Sequence, residues 1–149
     1  MVKFILGEKG TGKTKWLIDN ANKDLSEGNG NIVFVDVDHD HIFTLDYNIR
    51  LINAMEFNIT DIESFYGFLC GLIAMNYDVE KVYIDSIYKV IDIEIKDIQK
   101  LLEKLTIIGE KFKSEFYINV DFTLKDMPEH LQAYCLELES LEEKLQVNA

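Results

Sequence analysis

Residues 7–14 read Gly-Glu-Lys-Gly-Thr-Gly-Lys-Thr and match the pattern G-x-x-x-x-G-K-[ST] at every fixed position. Glycines at 7, 10 and 12 let the backbone curl into a nest of N–H groups. Such a nest, with the positive end of the helix that follows it, holds phosphate oxygens. In this arrangement Lys13 reaches the β- and γ-phosphates, and the Thr14 hydroxyl is placed to ligate Mg²⁺. The expected nucleotide-binding set is therefore Gly7, Glu8, Lys9, Gly10, Thr11, Gly12, Lys13, Thr14 and Lys15. Its flanks have the required form. Residues 2–6 are an apolar strand, and Trp16, Leu17, Ile18, Ala21 and Leu25 recur at helical spacing behind the loop.

A site for phosphate and Mg²⁺ needs a carboxylate opposite the loop. Val82-Tyr83-Ile84-Asp85 supplies one, an apolar strand that carries an acid to the edge where the loop sits. Thr14 and Asp85 are thus the expected metal-side residues. Ser86, not a second acid, follows Asp85, so a carboxylate that activates water must come from elsewhere. Asp36 and Asp38 end another apolar run, Ile32 to Val37, and alternation puts them on one face with Asp38 further out. Asp38 is the expected general base and Lys13 the catalytic cation; a solvated acidic loop is the alternative for Asp38. His39 and His41 flank Asp40 at metal-ligand spacing, but no third ligand spacing supports a metal there.

The elements that must position these groups alternate along the chain. Gly28 to Asn31 breaks the first helix, and the Ile32 to Val37 run reads as a buried parallel strand. Residues 48–52 form a weaker third strand. Thr60 and Glu63 are spaced as a capping box before the helical face Ile62, Phe65, Leu69, Leu72, Ile73. Residues 81–85 are a fourth strand, Ile95 to Phe112 a long helix, and 116–120 a fifth strand. A short helix begins near Pro128. Residues 134–138 read as a sixth strand, although Leu131, Cys135, Leu138, Leu141 and Leu145 also fit a helical stripe. Alternating βα units imply an α/β fold in three layers, a parallel sheet with right-handed crossovers.

The chain of 149 residues suits a single domain, 1–149. Met1 opens directly on the first strand, leaving no room for a signal peptide, and the longest apolar run, 65–75, is too short to span a bilayer. Two cysteines, Cys70 and Cys135, without metal-ligand spacing, read as reduced thiols in a cytoplasmic protein. With 27 acids against 15 bases the net charge is −12, which disfavours nucleic acid as a partner. Arg50 is the single arginine. Enzymes that clamp a second phosphorylated substrate use bidentate arginines, so a nucleotide-kinase lid is not expected.

Several of these segments resemble the RecA-type ATPases. Val33-Phe34-Val35-Asp36-Val37-Asp38-His39 resembles the strand whose acid, placed before a His, activates water. Val82-Tyr83-Ile84-Asp85-Ser86-Ile87 is similar to their Walker B segment, and Tyr117-Ile118-Asn119-Val120 to the strand whose polar tip senses the γ-phosphate. The resemblance covers roughly residues 2–122. It departs from the family at Val120, where a Gln stands beyond the Asn, at the Asp in place of Glu, and in lacking long DNA-binding loops. The chain is also similar to small stand-alone bacterial P-loop proteins loosely named after the twitching-motility ATPase, without that ATPase's extra domain and arginines.

The resemblance implies a RecA-like sheet of order 3-2-4-5-1, with a sixth strand at an edge. It implies a Mg²⁺-dependent ATP-binding protein with slow hydrolysis. Two alternatives stand beside this reading. One is a nucleotide-state sensor that binds ATP and a protein partner without turnover; the other, less favoured, is a small-molecule kinase. Base specificity is ATP by default, since no guanine-reading run is present, and neither a membrane nor nucleic acid is an expected partner.

Overall fold

The computed structural model describes residues 1–28, 30–38, 44–76 and 78–139. Six strands form one open sheet: β1 (Val2–Leu6), β2 (Asn31–Asp36), β3 (Arg50–Asn53), β4 (Val79–Ile84), β5 (Glu115–Asn119) and β6 (Cys135–Glu137). Their order is β3-β2-β4-β5-β1-β6, and every neighbouring pair is parallel. The helices are α1 (Lys13–Ser26), α2 (Ile62–Met75), α3 (Ile95–Phe112) and the one-turn α4 (Glu129–Gln132). An α/β chain with the expected order of strands is therefore observed, including the sixth strand on the edge beside β1.

Central strands that are apolar on both faces need a cover on each. One face packs Val33, Val35, Val82, Ile84, Phe116 and Ile118 against Phe65, Leu69 and Ile73 of α2 and Ile98, Leu102 and Leu105 of α3. The other packs Ile5, Ile32, Phe34, Tyr83 and Tyr117 against Leu17, Ile18 and Ala21 of α1. The sheet thus lies between α1 and the α2–α3 pair. Parallel pairing also puts every strand's carboxyl end on one edge, where α1 begins.

Some boundaries differ from expectation. β3 starts at Arg50 rather than Asn48, because Asp46 claims the preceding residues. Its carboxylate accepts from the Asn48 N–H (2.9 Å) and its carbonyl from the Ile49 N–H (3.0 Å), closing a turn. The capping box of α2 falls one residue later than Thr60 and Glu63. Asp61 Oδ1 accepts from the Ser64 N–H (2.8 Å), and Ser64 Oγ accepts from the Asp61 N–H (3.1 Å). Glu63 is occupied elsewhere, with Lys100 and with Lys104 (3.1 Å) on α3. Leu141 and Leu145, which completed the alternative helical stripe, lie outside the described residues; Cys135 itself is in β6. Cys70 and Cys135 are both free thiols. No described helix is long and apolar enough to cross a membrane.

Leu17 fixes the height of α1 above the sheet and is fully buried. Leu17→Ala should cost about 2–5 kcal/mol in urea unfolding, the usual range for truncating a buried leucine.

Candidate functional site

The loop between β1 and α1 is held open by its glycines. Gly12 has φ 89°, in the left-handed region, and is the N-cap of α1. At Gly7 (φ 148°) an added Cβ would lie 2.5 Å from Thr11 Oγ1. The loop closes on itself through Glu8, whose carbonyl accepts from both the Thr11 N–H (3.2 Å) and the Thr11 hydroxyl (2.9 Å). The N-cap residue, Gly12, has no side chain with which to cap α1, and the helix's first turn carries no acid. Its first N–H groups therefore face the cleft, and the helix dipole adds positive potential there.

Lys13 is buried beneath this loop. Its Nζ donates to the Gly7 carbonyl at 2.5 Å and to the Glu8 carbonyl at 3.4 Å, and stands 4.0 Å from Asp121 Oδ1. Burial lowers its pKa from the ordinary lysine value, against the opposing pull of Asp121 and Asp85. The ring of Tyr88 lies 5.9 Å from the same nitrogen.

Thr14 and Asp85, 71 residues apart, meet directly: Thr14 Oγ1 donates to Asp85 Oδ1 at 2.9 Å. The same oxygen accepts from Asn119 Nδ2 at 2.6 Å and from Ser86 Oγ at 3.0 Å. Asn119 Oδ1 in turn accepts from the Ser86 N–H at 2.6 Å. These bonds hold Ser86 at φ 60°, a left-handed conformation that costs a non-glycine residue about 1–2 kcal/mol. The turn that results leads into the 3-10 segment Ile87–Lys89 and brings Tyr88 and Lys89 to the cleft. The cleft has a volume of about 470 Å³; Lys9, Gly12, Lys13, Thr14, Lys89 and Asp121 are among its lining residues.

The other expected site residues are placed unequally. Lys9 and Gly10 line the cleft; Glu8 contributes its carbonyl, and Lys15 turns outward to Asp19 (2.5 Å). Asp38 is half-buried two residues beyond the end of β2, with its N–H 3.4 Å from Asp36 Oδ1, and it is not among the cleft-lining residues. Trp16 packs against Tyr117 at 6.2 Å, as part of the core under α1. Arg50 sits on the edge strand β3 and donates to Asn76 Oδ1 (2.9 Å). His39, Asp40 and His41 lie outside the described residues. Tyr88, Lys89 and Asp121 were not singled out from the sequence. Their signal was position alone: each follows a strand by a few residues at the carboxyl edge.

Asp36 is the most unusual group of the site. It is 1% exposed, and its Oδ1 accepts from the Val37 N–H at 2.7 Å. Among the described residues its buried Oδ2 meets no hydrogen-bond donor. Burial, with the charges of Asp85 and Asp38 adding to it, pushes the carboxyl up to about 6. The folded chain thus holds this proton more tightly than the unfolded one. The stability that protonation confers is complete below the unfolded value of about 4 and is lost as pH rises through about 6. Asp36→Asn, a neutral isostere, lacks this loss. Its stability advantage over wild type should widen by about 1 kcal/mol between roughly pH 5 and pH 7, read by urea unfolding at each pH.

Compared with known proteins, the chain matches no family model and no curated protein, so its own residues carry the functional reading.

Proposed function

We propose that this chain is a P-loop protein of RecA-like type that binds a nucleoside triphosphate, ATP by default, with Mg²⁺, and hydrolyses it slowly. One observation carries the reading: the Thr14 hydroxyl meets the Asp85 carboxylate at 2.9 Å, beside a buried lysine and an uncapped helix start. A hydroxyl and a carboxylate are oxygen donors of the kind Mg²⁺ takes, few in number and leaving room for phosphate and water. The buried Asp36 Oδ2, an acceptor without a donor, suits the same cation-bearing environment. When bound, Mg²⁺ would supply neutralisation of charge on the phosphates.

The remaining work falls to the chain's own groups. Backbone N–H groups of the loop and the first turn of α1 would hold phosphate oxygens. Lys13 would exchange its carbonyl partners for the β- and γ-phosphates, where its charge counts for more because the site is desolvated. Asp38 would receive the proton of the attacking water as hydrolysis proceeds in line. Lys89 and Lys9 add positive charge to the cleft, while the sole arginine is on the far edge of the sheet. The acidic balance of the chain argues against a nucleic-acid partner, and the lack of a clamp against a kinase role. A cytoplasmic setting accords with this chemistry.

Replacing Lys13 by Ala should abolish binding of a fluorescent ATP analogue while the protein still melts cooperatively. Affinity equal to wild type would remove the assignment of this loop to phosphate.

The second reading, a nucleotide sensor with a protein partner and no turnover, draws on the position of Asp38 outside the cleft lining. Single-turnover hydrolysis separates the two. In the ATPase reading Asp38→Asn keeps ATP affinity nearly unchanged and slows turnover on the order of 10²–10⁴-fold, the contribution of a general base. Wild-type turnover at background replaces the ATPase with the sensor.

A further inference from the structure

The strand register arranges a polar row along the carboxyl edge of the sheet. Asp36 pairs with Asn53 on one side. On the other, Val35 pairs with Ile84 and Ile84 with Ile118, so the next residues, Asp36, Asp85 and Asn119, stand side by side on β2, β4 and β5. Phe34, Tyr83 and Tyr117, two residues earlier on these strands, pack beneath α1, and alternation places all three polar groups on that same face. Thr14, in the first turn of α1, closes over the row at Asp85.

The two carboxylates are both almost fully buried, at 1% and 2% exposure, yet their partners differ. Asp85 Oδ1 accepts from three side chains, Thr14, Ser86 and Asn119. Asp36 Oδ1 accepts only from the N–H groups of Val37 (2.7 Å) and Asp38 (3.4 Å), and its Oδ2 has no donor among the described residues. A buried carboxylate oxygen without a donor is costly, and a second carboxylate alongside adds repulsion. Lys13 does not relieve it, since its Nζ is given to the carbonyls of Gly7 and Glu8. The missing partner is a donor that also brings positive charge.

Building on the nucleotide–Mg²⁺ reading, we propose that Asp36 is the outer-shell carboxylate of the cation site, its buried Oδ2 accepting a hydrogen bond from a water carried by a divalent cation held at Thr14 and Asp85. Asp36 is thus a positioning residue: it orients the hydrated cation and touches neither phosphate nor the attacking water. Its Oδ1, bonded to the turn that carries Asp38, fixes the carboxylate from the opposite side.

The test measures affinity for a fluorescent ATP analogue in EDTA and then across a Mg²⁺ titration, for wild type and Asp36→Asn, with folding checked by melting; Asp36→Ser replaces the Asn variant if that one does not fold. The inference expects cation-free affinity equal to wild type and a Mg²⁺ midpoint raised about 10–100-fold, the usual effect of losing an outer-shell partner. A midpoint equal to or below wild type overturns it, because a merely structural carboxylate leaves that midpoint in place. Wild-type binding of the analogue that ignores Mg²⁺ overturns the outer-shell role and leaves nucleotide binding standing. No wild-type binding at all overturns both.

Discussion

One carboxylate oxygen organises the site. Asp85 Oδ1 accepts hydrogen bonds from the first turn of α1, from its own neighbour Ser86, and from the tip of β5. A buried charge is tolerable when several donors converge on it, and here those donors come from three separate elements. The convergence fixes where α1 starts relative to β4. It also supports the left-handed Ser86, and through that turn the approach of Tyr88 and Lys89 to the cleft. Loss of this acceptor would leave three polar side chains without their shared partner.

The far end of α1 is fastened by a different device. Asp24 accepts from the Tyr83 hydroxyl and pairs with Lys81 (3.0 Å), while Tyr117 donates to Glu115 (2.8 Å). Between the two ends Tyr83 stacks on Tyr117, with centroids 4.8 Å apart, and Phe34 stacks on Tyr83. The helix is therefore pinned by polar contacts at each end and by apolar packing at its middle. Placement of Lys13 and Thr14 follows from that three-point attachment, since both sit in its first turn. The opposite face, packed against α2 and α3, is almost wholly apolar and contributes stability rather than chemistry.

Much of this arrangement was legible in the sequence, for identifiable reasons. The glycine loop has fixed spacing, and apolar strands buried on both faces read as unbroken runs, so the strands and the meeting of Thr14 with Asp85 could be anticipated, while their order followed only from the resemblance to RecA-type ATPases. Residues that act through local turns were harder. Asp46 takes Asn48 and Ile49 out of β3, and Asp61 with Ser64 displaces the expected Thr60–Glu63 cap; both are competitions among adjacent polar side chains that spacing alone does not resolve. Asp36 posed another difficulty. Its alternation with Asp38 was evident, but an orphaned oxygen is a property of the packed sheet, visible only once β2 and β4 lie in register.

The sheet order has a consequence for how the molecule assembles. β1 is the first strand of the chain, yet it lies between β5 and β6, pairing Val2 with Phe116 and Leu6 with Glu137. Every partner of the strand that feeds the glycine loop is therefore more than a hundred residues away. These are the longest separations in the sheet, so closing them carries its largest loop-closure entropy. The cleft spans that closure: Gly12, Lys13 and Thr14 follow β1 and Asp121 follows β5, so its lining depends on one of the longest-range pairings of the sheet.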